Sequence, residues 1–220
     1  LMANVYLGME KAGPLESAGF DTWGVDFGLL DEGGRLLGDP VHYRDSRTEG
    51  MVELARGILP EEQLYAATGN QIMPINTLFQ LLALKQRQPE LLERARRLLF
   101  MPDLFAYALC GAEVCETTIA STSQMLDVRT GGWSQPVLDA FGIPARLLAP
   151  RVDSGSVVGT YQGARVIAVA GHDTQCAVAA MPAPKPGAAF LSCGTWGLLG
   201  CELGQPVLTE GSRALALSYE

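Results

Sequence analysis

The segment between residues 165 and 181 most constrains how this chain folds. Residues 166–170 form a short β-branched apolar run, V-I-A-V-A, which predicts a buried strand. Gly-His-Asp-Thr follows at residues 171–174, and the small residues T-Q-C-A-V-A-A-M at 174–181 indicate a helix packed closely on a sheet. Asp173 is therefore predicted at the carboxyl end of a strand and the amino end of a helix, where open α/β sheets bind ligands.

Two interpretations of Asp173 follow from this position. An aspartate at a helix start is most often a cap, which stabilises the helix by about 1 kcal/mol. Alternatively, helix N–H groups hold the carboxylate while one of its oxygens faces a substrate. A second segment, A-A-F-L-S-C-G-T-W-G at residues 188–197, predicts a strand, a tight turn and a strand. A carboxylate at a strand end followed by a Gly-Thr turn favours a sugar site beside a phosphate site.

Composition excludes several classes of protein. The chain has 220 residues, 48% hydrophobic and 18% charged, as expected of a soluble globular protein that buries a core. A net charge of −8 argues against a nucleic-acid partner. The sequence has no apolar run of about 18 residues for a membrane span and no signal peptide. We therefore expect a cytoplasmic protein that binds neither nucleic acid nor membrane.

The cysteines and histidines give information about the compartment and about metal binding. The five cysteines form no C-x-x-C pair and have apolar neighbours, which is typical of free thiols in a reducing cytoplasm. Only two histidines, His42 and His172, are present. We therefore expect no metal site built from protein side chains alone.

Strand and helix patterns alternate along the chain and predict an α/β protein. In residues 20–30, Val25, Phe27 and Leu29 alternate with their neighbours and predict a strand. The Ser- and Thr-rich segment 117–125 is predicted to be a loop near a ligand. Asn76 and Ser134 are predicted helix caps. The run P-A-P-K-P-G at residues 182–187 is the best linker candidate.

Several motifs together give the chain a family resemblance. It resembles the FGGY-type carbohydrate kinases, and within them the branch that acts on L-rhamnulose. The resemblance covers residues 21 to about 200. It is carried by D-T-W-G-V-D-F at 21–27, H-Y-R-D-S-R-T at 42–48, N-T-L-F-Q-L at 76–81, M-P-D-L-F at 101–105 with E-T-T-I-A-S-T-S-Q at 116–124, and the Gly-His-Asp-Thr to Ser-Cys-Gly-Thr-Trp stretch.

The resemblance implies an α/β fold of the actin-like ATPase (ribonuclease H-like) type. Residues 1–184 are expected to be most of the sugar-binding N-terminal domain, without its first strands and phosphate loop. Residues 185–220 are expected to be the opening hairpin of a truncated nucleotide-binding C-terminal domain. The implied reaction is the ATP-dependent phosphorylation of L-rhamnulose to its 1-phosphate in L-rhamnose catabolism, by a monomer or homodimer, with Mg²⁺ carried by ATP.

The resemblance also assigns roles to single residues. Asp173 matches the family's catalytic base, and Gly24, His172, Asp173 and Thr174 match sugar-binding positions. Thr195 matches a contact to a nucleotide phosphate. These residue types fit the chemistry, because phosphoryl transfer needs positioned groups and a carboxylate that takes the proton of the attacking hydroxyl. Gly24 allows a close backbone approach to the sugar, and Thr195 offers an N–H and a hydroxyl to phosphate.

Other functions remain open from the sequence. One is an FGGY kinase for another ketose, such as L-fuculose or D-xylulose. Another is a non-catalytic sugar-binding remnant, favoured by the missing amino-terminal phosphate loop. A third is a scaffold fragment that assembles with a partner chain. Because parts of both domains are missing, we expect negligible kinase turnover from the isolated 220-residue chain.

Overall fold

The computed structural model describes residues 2–182, 185 and 187–220 of the chain. Helices and strands alternate within it, which confirms the predicted α/β class. The helices are α1 (Met2–Ala12), α2 (Met51–Ile58), α3 (Glu61–Thr68), α4 (Thr77–Arg87), α5 (Pro89–Arg94), α6 (Met101–Cys110), α7 (Thr117–Ser121), α8 (Gln135–Phe141), α9 (Asp173–Ala179) and α10 (Glu210–Ala214). The strands are β1 (Ser17–Gly19), β2 (Phe27–Leu30), β3 (Arg97–Phe100), β4 (Cys115–Glu116), β5 (Arg151–Val152), β6 (Ser156–Tyr161), β7 (Ala164–Ala168), β8 (Ala189–Cys193) and β9 (Gly197–Cys201).

A three-stranded sheet of order β1-β7-β6 positions the segment before Asp173. β1 runs parallel to β7, with Ala18 opposite Val166, and β6 pairs with β7 in the antiparallel sense. The predicted strand at 166–170 is thus real but begins two residues earlier and ends at Ala168. The predicted helix begins at Asp173. Asp173 therefore lies just beyond the carboxyl end of β7, as the sequence predicts.

The main hydrophobic core includes the antiparallel strands β2 and β3. Every residue of β2 is buried, so the alternation seen in residues 20–30 does not mark an exposed face. Helix α4 packs there too, and all of its residues from Thr77 to Leu84 are buried. The predicted strand over 20–30 is confirmed only for its last four residues.

Helix α6 links this core to the three-stranded sheet. It begins at Met101, carries Pro102 in its first turn, and ends at Gly111, whose φ of 75° suits glycine. Its far face, with Ala106 and Leu109, packs against Val166 of β7. One helix thereby joins the two apolar clusters and holds β7 in place.

Three local predictions were wrong. The segment 117–125 is not simply a loop, because residues Thr117–Ser121 form α7. Asn76 and Ser134 do occupy the positions that precede α4 and α8, but neither side chain makes a capping hydrogen bond. The Asn76 amide instead donates to Gln71 O at 2.9 Å and to Gln124 Oε1 at 2.6 Å. Both helices therefore depend on packing rather than on side-chain caps.

The carboxyl-terminal part forms an antiparallel hairpin, β8–β9, as predicted, and β8 packs against α9. The chain then returns to the first part, where the Tyr219 N–H donates to Gly69 O at 3.1 Å. Much of the linker predicted at 182–187 lies outside the described residues, so the division after residue 184 stays a prediction. Among the described residues, no helix has the length and apolar character needed to cross a membrane.

Candidate functional site

The two segments predicted to bind a sugar lie side by side beyond the end of the β1–β7 ladder. The Thr22 N–H donates to Gly171 O at 2.9 Å, and the Asp173 N–H donates to Thr22 O at 2.8 Å. These bonds form a parallel bridge between Thr22 and His172. Gly24 follows two residues later, so backbone pairing brings it into the neighbourhood of residues 172–174.

Asp173 is the first residue of α9, and His172 holds the capping position. The Asp173 carboxylate makes no capping bond with the described part of the chain, and its side chain is 54% exposed. The nearest charged group is His172, whose Nε2 lies 3.5 Å from Asp173 Oδ1. The capping interpretation of Asp173 is therefore not supported, and one face of the carboxylate is open to a ligand. Thr174 follows in the same turn, half-buried.

His172 is held by a residue that sequence reasoning missed. Its Nδ1 lies 2.7 Å from Glu220 Oε2, which also accepts from Gln175 Nε2 at 3.0 Å. Burial lowers the pKa of His172, but the hydrogen bond and charge of Glu220 outweigh it and raise that pKa above its usual value. Burial raises the pKa of Glu220, but the bond from His172 outweighs it and lowers that pKa. Together these residues form an ion pair that aims His172 Nε2 toward Asp173.

Glu220→Gln is expected to lower the pKa of His172, because burial then acts without the compensating carboxylate. An NMR pH titration of the two imidazoles checks this, with His42 as the internal reference. Since the folded-state pKa of His172 is raised and that of Glu220 is lowered, the pair stabilises the fold fully between the unfolded pKa values of about 4.3 and 6.5. That contribution is lost as pH rises through the folded-state pKa of His172 or falls through that of Glu220. An unchanged His172 titration in the variant would contradict the pairing.

The turn around Gly24 is strained and tightly held. Val25 has a φ of 68°, a left-handed conformation that is unfavourable for a β-branched residue. Its N–H donates to Thr122 Oγ1 at 3.1 Å, and its carbonyl accepts from Thr77 Oγ1 at 2.7 Å. A Cβ on Gly24 would lie 3.0 Å from Thr122 Cγ2, so little space is left there. Strain of this kind, about 1–3 kcal/mol, persists where the surroundings impose it, often at binding sites.

Aromatic side chains border the same turn. Trp23 Nε1 donates to Asp26 Oδ2 at 2.7 Å, while the indole stays 37% exposed. Asp26 is buried and also accepts from the Tyr43 N–H at 3.2 Å, so its role is structural. The His42 ring lies 6.0 Å from Trp23 and stacks on Tyr43 at 4.3 Å, centroid to centroid. The guanidinium of Arg44 lies over the same Tyr43 ring at 5.6 Å.

Thr195 lies in the turn between β8 and β9, closed by a bond from the Gly194 N–H to Trp196 O at 3.0 Å. The turn is exposed, and a Cβ on Gly194 would meet no atom within 4 Å. The hairpin lies against α9, but no hydrogen bond joins Thr195 to Asp173. The structure thus places His172, Asp173 and Thr174 together at the start of α9, pairs the segment before Gly24 with them, and places Thr195 on a neighbouring element.

The donor set does not form a cage for a metal ion. Divalent cations such as Mg²⁺ need several oxygen ligands. Over residues 2–182, 185 and 187–220, no group of three or more His, Cys, Asp or Glu side chains converges in a way that could hold one. The described side chains therefore offer no ready-made cage of this kind for a resident Mg²⁺.

The chain matches one protein family over most of its length. Residues 14–182 match the N-terminal domain of the FGGY family of carbohydrate kinases. The chain belongs to this family.

Similar curated proteins include several rhamnulokinases. A rhamnulokinase of Yersinia pestis bv. Antiqua (strain Angola) is 43% identical over 211 residues, which is 94% of this chain and 44% of that protein. A rhamnulokinase of Pectobacterium atrosepticum is 42% identical over 210 residues, 93% of this chain and 42% of that protein. The chain therefore spans less than half the length of these relatives.

Solved structures agree on the fold. A ligand-bound xylulose kinase from Lactobacillus acidophilus has a TM-score of 0.80 at 20% identity, over 96% of this chain and 45% of its own. A gluconate kinase from the same species has a TM-score of 0.81 at 20% identity, with the same coverage. These likenesses confirm the FGGY kinase fold, of the actin-like ATPase type, that the sequence resemblance implies.

Proposed function

We propose that the protein containing this chain transfers the γ-phosphoryl group of ATP to the primary 1-hydroxyl of L-rhamnulose. The observation that carries the proposal is the pairing of Thr22 with Gly171 and Asp173, which brings the exposed Asp173 carboxylate to the segment that contains Gly24. The 43% identity to rhamnulokinases supports L-rhamnulose as the sugar.

Asp173 acts as the general base in this proposal. The attacking hydroxyl donates a hydrogen bond to the carboxylate, and its proton passes to Asp173 as the oxygen–phosphorus bond forms. The carboxylate need not be strongly basic, because the hydroxyl becomes acidic late in the transfer. His172 Nε2 lies 3.5 Å from Asp173 Oδ1 and borders the same site. Gly24, His172 and Thr174 contact the sugar.

Thr195 contacts a phosphate of ATP through its N–H and hydroxyl in the open Gly194–Thr195 turn. Mg²⁺ travels with ATP and neutralises charge on its phosphates. The five free cysteines favour a reducing compartment. We therefore expect a cytoplasmic monomer or homodimer whose partners are a small sugar and ATP.

The aromatic wall formed by Trp23, His42 and Tyr43 favours a deoxysugar. L-Rhamnulose has a terminal methyl group, which can lie against an aromatic ring while its hydroxyls meet polar groups. Burying one such methyl group changes specificity by about 10–200-fold. D-Xylulose lacks this methyl group, whereas L-fuculose has it with a different stereochemistry.

ADP release by the full-length gene product that contains this chain tests the proposal, with MgATP and L-rhamnulose, L-fuculose or D-xylulose. We expect kcat/KM to be highest for L-rhamnulose by at least about tenfold. The phosphorus NMR signal of the product should be split by a neighbouring CH₂ group, as a 1-phosphate requires. A preference for another ketose would overturn the substrate and keep the reaction. No turnover with any sugar would favour a sugar-binding remnant.

A further inference from the structure

A buried carboxylate lies behind the Gly-His-Asp segment. Glu116 is almost completely buried and directly precedes α7. Its Oε2 accepts from the N–H groups of Thr118 at 2.9 Å and Ile119 at 3.1 Å, and its Oε1 accepts from Ser154 Oγ at 2.5 Å. These bonds alone would make Glu116 a helix cap. Its other contacts extend beyond α7.

The same Oε2 also holds the segment that leads to Asp173. It accepts the Gly171 N–H at 2.9 Å. It also accepts from Thr118 Oγ1 at 2.7 Å, and that hydroxyl accepts the His172 N–H at 3.2 Å. Glu116 therefore binds the two N–H groups that precede Asp173. It binds that of Gly171 directly and that of His172 through the Thr118 hydroxyl.

The fit around this contact is close. A Cβ on Gly171 would lie 3.2 Å from Glu116 Oε2 and 3.1 Å from Pro102 Cγ, so a side chain there would push the segment off the carboxylate. Glu116 is itself anchored, since its N–H donates to Asp103 Oδ1 at 3.2 Å. A connected set of polar groups thus runs from α6 through Glu116 to residues 171 and 172.

We propose that Glu116 is a positioning residue for phosphoryl transfer. By holding the main chain of Gly171 and His172, it sets the place of the Asp173 carboxylate relative to the sugar hydroxyl. This inference rests on the proposed function for its catalytic consequence. Its structural part, that Glu116 orders residues 171 and 172, stands independently.

Two variants test separately the side-chain length of Glu116 and its negative charge. Glu116→Asp keeps the charge but removes one methylene, so the carboxylate cannot bond both Gly171 and the start of α7. Glu116→Gln keeps the shape, because its carbonyl can face the four donors at Oε2 while its amide donates to Ser154 Oγ. Glu113→Asp is the matched control. Its carboxylate pairs with Arg96 and with Arg97 at 3.2 Å, and not with residues 171–173.

Amide hydrogen exchange and steady-state kinetics on the full-length protein provide the test. In Glu116→Asp, we expect exchange at Gly171 and His172 to rise at least about tenfold with β2 and β3 unchanged. We also expect kcat to fall about tenfold with KM for ATP unchanged. Glu116→Gln should restore most of the protection and most of kcat. Glu113→Asp should alter neither.

Two results would overturn the proposal. One is unchanged exchange at Gly171 and His172 in Glu116→Asp, whatever happens to kcat. The other is an equal rise in Glu113→Asp, which would mean a general loss of stability. If the protein phosphorylates no sugar, the proposed function fails, whereas the exchange measurement still decides whether Glu116 orders the segment.

Discussion

Asp173→Asn in the full-length protein is expected to lower kcat for sugar-dependent ADP release by about 10² or more, the usual contribution of a general base. The amide keeps the size of the side chain but cannot take the proton of the attacking hydroxyl. Because the carboxylate is exposed and makes no capping bond with the described residues, its loss should leave α9 intact. The affinity for the sugar, measured by calorimetry without ATP, should change less than kcat.

Asp139→Asn is the matched control, since Asp139 is an exposed aspartate on α8 whose carboxylate accepts from Gln135. It should leave both kcat and the free energy of unfolding unchanged. If Asp173→Asn kept kcat within about threefold of the wild type, Asp173 would be a sugar-binding or structural residue. A loss of sugar affinity as large as the loss of kcat would point the same way.

Asp103→Asn is expected to stabilise the protein near pH 8 and to destabilise it slightly near pH 4. Burial raises the pKa of Asp103 to about 8, and the charge of Glu116 adds to the effect despite the opposing hydrogen bond from the Glu116 N–H. The second carboxyl oxygen of Asp103 is buried without a hydrogen-bond partner in the described structure. Asp103 is therefore a neutral acid in the folded protein at neutral pH.

The direction of the pH effect follows from proton linkage. In the unfolded chain the pKa of Asp103 returns to about 3.9, so between about pH 4 and pH 8 the folded state binds one more proton. The wild type thus loses stability as pH rises through this window, by up to roughly 5 kcal/mol. Asparagine does not titrate, but it leaves an amide hydrogen without a partner, which costs about 1–3 kcal/mol. Asp103→Asn therefore raises the free energy of unfolding at pH 8 by about 2 kcal/mol or more.

Urea denaturation at pH 5, 7 and 8.5 measures this effect. The difference in unfolding free energy between Asp103→Asn and the wild type should increase with pH. Asp139→Asn, at an exposed position, is measured alongside as the control variant. A flat difference for Asp103→Asn would mean that Asp103 is ionised in the fold.

Local sequence signals mark the elements whose stability depends on near neighbours. Helix α6 begins at Met101 with Pro102 in its first turn and ends before a left-handed Gly111, all of which a short window of sequence contains. The hairpin β8–β9 closes on itself. In contrast, the strand predicted over 20–30 is cut short because Thr22 pairs with His172, 150 residues away, and Val25 is left-handed. No window of sequence includes those partners.

The candidate site also has one part that follows from adjacent residues and another that depends on distant ones. The position of Asp173, after a buried strand and at the start of a helix, was determined by the sequence alone, because adjacent residues create it. That Glu116 bonds Gly171 and that Glu220 pairs with His172 was decided only by the tertiary structure. An acidic residue before a Ser/Thr-rich run could at most have suggested a helix cap at Glu116. The hydrogen-bond donors around a buried carboxylate depend on how distant segments pack. A buried charge is tolerated only where the fold supplies such partners.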